Sequence, residues 1–344
     1  MKQKTTTYAP VPMQTVGPVK IVGPVMQDEV MVPLATFESP LWPSTNRGAR
    51  VSVLSGGVRA VIVDERMSRS VLAQAPDAET AVRVKNNLLT RLPDVKRVVE
   101  QTSRFAQFLD VHFQIVANLL YVRLEISTGD ASGHNMVTKA ADAMLRWILA
   151  EYQELTYSSV SGNFCTDKKV SAVNGILGRG KNVVADIVIP GKICRRYLKT
   201  RPQQVVDLNI QKNLYGSIIA GGVRTANAHF ANMLLAFYLA AGQDAANIVE
   251  GSQGFVNAEV RGEDLYFAVT LPNVIVGAVG AGKGLDFVQQ NLDMLGCTAE
   301  REPGDNARRL AVIAAATVLC GELSLLAALT NPGELMSAHE NLER

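Results

Sequence analysis

The segment Ser161-Gly-Asn-Phe-Cys-Thr-Asp-Lys-Lys169 sets small polar residues and two adjacent cations between apolar stretches. An ammonium presented by Lys168 or Lys169 can stabilise an anion or a developing oxyanion, and neighbouring Asp167 can hold it in place and set its charge. A second candidate is Glu38, which stands among apolar and small residues in 32–48. Burial there would raise its carboxyl pKa and suit it to general acid work. Ser44, Asn46 and Arg47 follow closely as polar contacts. Arg104 brings a guanidinium able to clamp a phosphate bidentately. Gly133 permits close backbone approach ahead of a helix start, and the glycine-rich run 276–284 offers further amides to an anion. Taken one at a time, each of these reads equally well as a solvated turn or a surface side chain.

The elements that must position these residues are partly legible. Residues 1–35 are rich in Pro, Thr and Val, with Val-Gly-Pro-Val at 16–19 and again at 22–25, which predicts short extended segments broken by turns. Helical spacing of Val84, Leu88 and Leu89 predicts a helix over 77–92, and another is expected over 135–152. Residues 108–117 and 119–126 read as strands, as does 182–189 after Gly178-Arg-Gly-Lys181, which lacks the spacing of a phosphate-binding P-loop. Residues 225–242 are expected to form a helix with Asn227 as its cap and Gly242 as its stop. His229 and Asn232 share one face of it. Helices are also expected over 285–295 and 306–330. The last is too often interrupted, by Glu322 and the preceding Arg308 and Arg309, for a membrane span, and reads as a buried core helix.

With 344 residues the chain can bury a sizeable core, and division into two domains is expected. A net charge of +2 gives no global case for nucleic acid or an anionic membrane. The cysteines Cys165, Cys194, Cys297 and Cys320 form no CxxC pair, so no metal is expected and a reducing, cytoplasmic setting fits. The start of the chain carries no apolar secretory segment.

The motifs in combination resemble the hydroxymethylglutaryl-coenzyme A (HMG-CoA) reductase family. The Ser161–Lys169 segment is similar to that family's catalytic-lysine loop. Residues 35–48 resemble its Ala-Thr-Thr-Glu-Gly…Ser-Thr-Asn-Arg-Gly segment, with Ser39-Pro40 in place of the glycine. Ser103-Arg104-Phe105 resembles its Ser-Arg-Phe, and Asp130-Ala-Ser-Gly-His-Asn-Met136 its Asp-Ala-Met-Gly-Met-Asn-Met, with Ser132 and His134 replacing two methionines. Residues 276–284 are similar to its Gly-Thr-Val-Gly-Gly-Gly-Thr. The family's N-terminal Glu-Asn-x-Ile-Gly, which would fall near residues 3–7, is not present.

The resemblance implies an α+β fold. A large, mostly helical substrate domain with a central helix (1–70 and 160–344) would carry an inserted small ferredoxin-like, non-Rossmann cofactor domain (71–159). It implies Glu38, Lys168, Asp244 and His339 as catalytic residues. Ser44, Asn46, Arg47, Arg69, Ser161, Asn163, Asp167, Lys169, Lys212, His229 and Asn232 would bind substrate. Ser103, Arg104, Phe105, Asp130, Gly133, Asn135, Gly277, Val279 and Gly280 would bind NADPH. Implied too are HMG-CoA and CoA as reactants, mevalonate as product, and a homodimer or higher oligomer with shared active sites. The departures keep two alternatives open: a non-catalytic homologue that binds CoA thioesters, and a reductase of a different acyl-CoA.

Overall fold

The structure, a computed structural model, describes residues 7–342. Residues 3–6 of the missing N-terminal motif lie outside that range. Strands β1 (Met13–Val22) and β2 (Asp28–Ala35) pair antiparallel. The first Val-Gly-Pro-Val forms an irregularity in this ladder between Val16 and Val19, and the second runs into the turn between the strands. A helix, Leu41–Leu54, follows. Strand β3 (Val58–Gln74) is the spine of the molecule. Its first part, to Arg66, pairs antiparallel with β7 (Gly180–Ile189). From Met67 it pairs instead with β5 (Leu119–Ser127) and then β6 (Thr156–Ser159).

Two apolar cores form around the two halves of that strand. Beyond Arg66 lies the sheet order β6-β3-β5-β4, with β4 spanning Gln107–Val116. Helices Ala78–Thr90 and Leu92–Glu100 join β3 to β4, and His134–Glu151 joins β5 to β6. Asp77 starts the first of these by accepting from the Thr80 amide at 2.7 Å. Ala81, Val84 and Leu88 form its buried stripe against Val71, Leu120 and Leu124. The single helix expected over 77–92 ends at Thr90, and a second begins at Leu92 with Pro93 in its first turn.

The other core is larger. The sheet order β2-β1-β3-β7-β10-β9-β8 adds β10 (Asp264–Val274), β9 (Gly254–Arg261) and the two-residue β8 (Thr225–Ala226). Helices cover this sheet, so the part expected to be mostly helical also has a seven-stranded layer that local periodicity did not reveal. Through the middle runs the helix Asp305–Leu329, apolar around its whole circumference and almost entirely buried. Its length and composition would pass for a membrane span, yet 94% of its most apolar stretch is inside the fold. The helix expected over 225–242 runs only from Phe230 to Ala240. Thr225 and Ala226 are taken by pairing with β9, and the Asn227 side chain accepts from the Phe230 amide at 3.2 Å.

Candidate active site

The Ser161–Lys169 loop is strained. Asn163, Thr166 and Lys168 have φ values of 62°, 39° and 57°. Such left-handed conformations cost roughly 1–3 kcal/mol each and persist only where surroundings impose them. Here the imposing groups are buried. Glu250, fully buried, accepts from the Lys168 amide at 3.1 Å. Arg179, 1% exposed, donates to Asp167 Oδ1 at 2.6 Å. Arg123, also fully buried, donates to the Phe164 carbonyl at 3.1 Å, and Asn174 donates to the Thr166 carbonyl at 3.2 Å. The loop therefore hangs on a buried polar scaffold.

That scaffold projects the Lys168 Nζ to 2.7 Å from Asp244 Oδ2. The hydrogen bond that Lys168 donates to Asp244 raises the Lys168 pKa against the opposing effect of burial, so the ammonium is charged at neutral pH. Burial pushes the Asp244 carboxyl up, but Lys168 and the Ala246 amide outweigh it and hold the group below its usual range. Asp167 follows the same pattern: burial raises it, and Arg179 more than reverses the effect. Glu250 goes the other way, its carboxyl raised by burial.

Several expected site residues gather here. Arg69 lies 3.5 Å from Asp167 Oδ2 and donates to the Val160 carbonyl. The Lys169 Nζ turns back to the Asp167 carbonyl at 2.9 Å. Ser161 is held through its backbone by the Ser159 hydroxyl. His134 comes within 3.9 Å of Asp167 Oδ1.

A second group forms elsewhere. Asn232 donates to Glu38 Oε2 at 2.7 Å. Glu38, Ser44, Arg47 and His229 line a cavity of about 240 Å³ that also reaches Glu334 and Ala338 of the last helix, Glu334–Leu342. Arg47 binds Glu334 at 2.5 Å and the Ser324 hydroxyl at 2.9 Å. His229 Nδ1 lies 2.7 Å from Glu322, which also accepts from the amides of Ala228 and His229. His339 belongs to the last helix, and its side chain is outside the described residues. Two expected residues stand apart. Asn46 accepts from the Gly17 amide at 2.8 Å and so braces the β1 irregularity, and Lys212 is exposed on the π-helical stretch Asn209–Gly216.

Glu38 is thus bound at the start of the Phe230–Ala240 helix and Lys168 just past its end. The helix between those two attachments has 11 residues and is about 16 Å long. One chain keeps its acid and its lysine apart.

The expected cofactor residues form a third region. Gly133, at φ 91°, opens the His134–Glu151 helix. Gly277 packs so tightly on residues 130–132 that an added Cβ would come 2.4 Å from the Ser132 nitrogen. The Ala278 amide donates to the Asp130 carbonyl at 2.8 Å, and Val279 bridges to Ala131. Asn135 and Gly280 are exposed around this cradle. The Asp130 carboxylate is used differently from expectation: it accepts from the Gly304 and Ala307 amides at 3.0 and 2.9 Å, capping the central helix. Lys283 is neither solvated nor free for a phosphate, because its Nζ is buried against the Gly242 carbonyl, and burial pushes its pKa down to about 8. Arg104 stacks on Phe105 at 4.6 Å, with the Ser103 hydroxyl accepting from the Phe105 amide. Arg104 and Phe105 line a cavity of about 440 Å³ together with Glu65 and Arg308. Asp110, His112 and Glu125 come close enough to share a cation, but Arg66 and Arg123 already bind Glu125 at 2.6 and 2.9 Å.

Arg179, Glu250 and Glu322 were not singled out by sequence reasoning. Glu322 was noticed only as an interruption. A lone charge in an otherwise apolar helix is the signal that could have pointed to it, since such a group must be paired.

An ammonium locked to a carboxylate on a strained loop, beside a glycine-lined cradle, defines a centre for polarising a carbonyl. The family model for hydroxymethylglutaryl-coenzyme A reductase matches residues 3–344. The 3-hydroxy-3-methylglutaryl-coenzyme A reductase of Aeropyrum pernix is 44% identical over 336 residues, 97% of this chain and 79% of that protein. That of Pyrococcus abyssi is 43% identical over 97% of this chain and 82% of that protein. In fold, the class II reductase of Streptococcus pneumoniae, solved bound to NADPH, superposes with a TM-score of 0.74 over 96% of this chain and 88% of that one, at 18% identity. The chain belongs to the hydroxymethylglutaryl-coenzyme A reductase family.

Proposed function

We propose that this protein reduces HMG-CoA to mevalonate and free CoA with NADPH. The observation that carries the reading is the 2.7 Å pair of Lys168 and Asp244 on its strained loop. The Arg104 cavity and the Cβ-free approach at Gly277 fit a dinucleotide phosphate, the first by charge and the second by room for backbone contact. NADPH, when bound, supplies two hydrides in successive steps.

Lys168 stabilises the charge that develops on the thioester carbonyl oxygen and again on the aldehyde oxygen. Asp244 keeps that lysine an ammonium and aims it. As the hemithioacetal collapses, the C–S bond breaks and His339 protonates the departing CoA thiolate, a task suited to a group titrating near neutrality. Glu38 gives the proton that turns the aldehyde oxygen into a hydroxyl. Arg69, Asp167, Lys169 and Lys212 position substrate with Ser161 and Asn163. Ser44, Asn46, Arg47, His229 and Asn232, which lie apart from Lys168 within one chain, join them in the assembled site.

Glu38 and Lys168 act together only if a second copy brings them together, so the working form is a homo-oligomer with shared sites. The exposed apolar run Leu214, Tyr215, Ile218 and Ile219, the last 87% exposed, supports such an interface. Residues 71–159 form an inserted cofactor domain of ferredoxin-like βαββαβ type, a reading supported by the strand order β6-β3-β5-β4, with 1–70 and 160–344 as the substrate domain. Four buried thiols fit a cytoplasmic protein. The test is spectrophotometric: purified protein oxidises NADPH only when HMG-CoA is present, and NADH serves poorly. Equal rates with another acyl-CoA would reassign the substrate.

A further inference from the structure

His134 occupies an unusual place. It is the first residue of the His134–Glu151 helix and faces the lysine centre, with its ring turned inward and its side chain 21% exposed. Its Nδ1 lies 3.3 Å from the Ser132 hydroxyl, on the one residue pair that replaces the family's two methionines. Its Nε2 is buried and finds no hydrogen-bond partner among the described residues; Asp167 Oδ1, at 3.9 Å, is beyond hydrogen-bond reach and already committed to Arg179. A buried ring nitrogen left unmade in this way costs free energy unless something else meets it.

We propose that His134 is a ligand-binding residue of the Lys168 centre, its Nε2–H donating a hydrogen bond to a carbonyl oxygen of a bound reactant. This rests on the reading above, in which both reactants carry such an oxygen: the thioester carbonyl of HMG-CoA and the carboxamide of the nicotinamide ring. The proposal takes the tautomer in which the Ser132 hydroxyl, 3.3 Å from Nδ1, is the donor of that pair. A hydroxyl donating to Nδ1 leaves the proton on Nε2, facing the site. The ring also stays neutral. Burial and the charges of Arg179 and Lys168 push its pKa down to about 4, against the opposing pull of Asp167 and Asp244. A neutral donor can engage a carbonyl without placing a second cation against the Lys168 ammonium, whereas methionine could fill the space but donate nothing.

The experiment compares wild type, His134→Gln and His134→Met in steady state with HMG-CoA and NADPH varied separately. Glutamine keeps a donor at similar reach. His134→Met should raise one Michaelis constant about tenfold, the worth of one hydrogen bond, and His134→Gln should stay within about threefold of wild type. A rise confined to NADPH assigns the oxygen to the nicotinamide carboxamide, and a rise for HMG-CoA assigns it to the thioester. Between pH 5 and 9 the shape of the rate profile should be the same in all three, because a ring that is neutral throughout contributes no limb. Equal losses in the two variants would reduce His134 to packing and overturn the proposal. So would a His134→Met protein with both constants unchanged. A wild type that fails to turn over HMG-CoA at all refutes the functional reading itself, which is a different result.

Discussion

Replacing Lys168 with alanine removes the ammonium paired with Asp244, and a lost oxyanion donor typically costs about 100- to 1,000-fold in kcat. Lys168→Ala should lose at least that much while the thermal midpoint stays near wild type, because the side chain is partly exposed. Arg179 is the opposite case. It is 1% exposed and ties Asp167 to Glu250 at the root of the loop. Arg179→Met leaves the buried Glu250 without its cation and Asp167 with the longer contact to Arg69, and denaturant titration should show a loss of about 3–5 kcal/mol, with kcat reduced as the loop relaxes. His134 sets a pH dependence of stability. In the unfolded chain its ring titrates near 6.5, and in the folded protein near 4, so between those values only the unfolded state binds the proton. Stability should therefore fall as pH drops from about 6.5 to 4, by on the order of 3 kcal/mol, and His134→Met should flatten that part of the curve. Lys168 and Glu38 are candidates in the sequence by residue type and setting, and Asp244 only through the family resemblance. Arg179 and Glu250 are not, since what matters about them is burial beside a loop distant in the chain.

At the scale of elements, local pattern located the longer helices and strands β4, β5 and β7 but not β3, β6, β8, β9 or β10, and the departures have physical causes. The helix expected from 225 begins at Phe230 because strand pairing of Thr225 and Ala226 claims its first residues. The Asp130 motif was read as a cofactor contact, yet its carboxylate caps a helix that starts 175 residues later in the chain, a partnership no window of sequence can display. Asp130→Ala should therefore cost about 0.5–2 kcal/mol in stability, read by denaturant titration, before any effect on cofactor binding. The central helix reads as buried because Arg308, Arg309 and Glu322 interrupt its apolar run, and Glu322, the charge beyond its first turn, is where it meets the start of the Phe230–Ala240 helix through His229. Strand β3, which switches from one sheet to the other between Arg66 and Met67, is not among the strands read from the sequence, because neither half shows a clean period-two alternation.

For the whole molecule, the proposed shared site makes a prediction about assembly. Two inactive proteins, Glu38→Ala and Lys168→Ala, should regain activity when co-refolded, since a mixed oligomer can pair an intact acid from one subunit with an intact lysine from the other. Activity absent from every mixture would mean that the two groups never share a site. The most direct measurement of the central claim is stoichiometric: NADPH consumed against CoA thiol released during turnover of HMG-CoA. A lysine centre that serves both hydride additions predicts two NADPH oxidised for each thiol freed, with mevalonate accumulating and Lys168→Ala abolishing both signals. One NADPH per thiol, with aldehyde as the end product, or undiminished oxidation in Lys168→Ala, would contradict it.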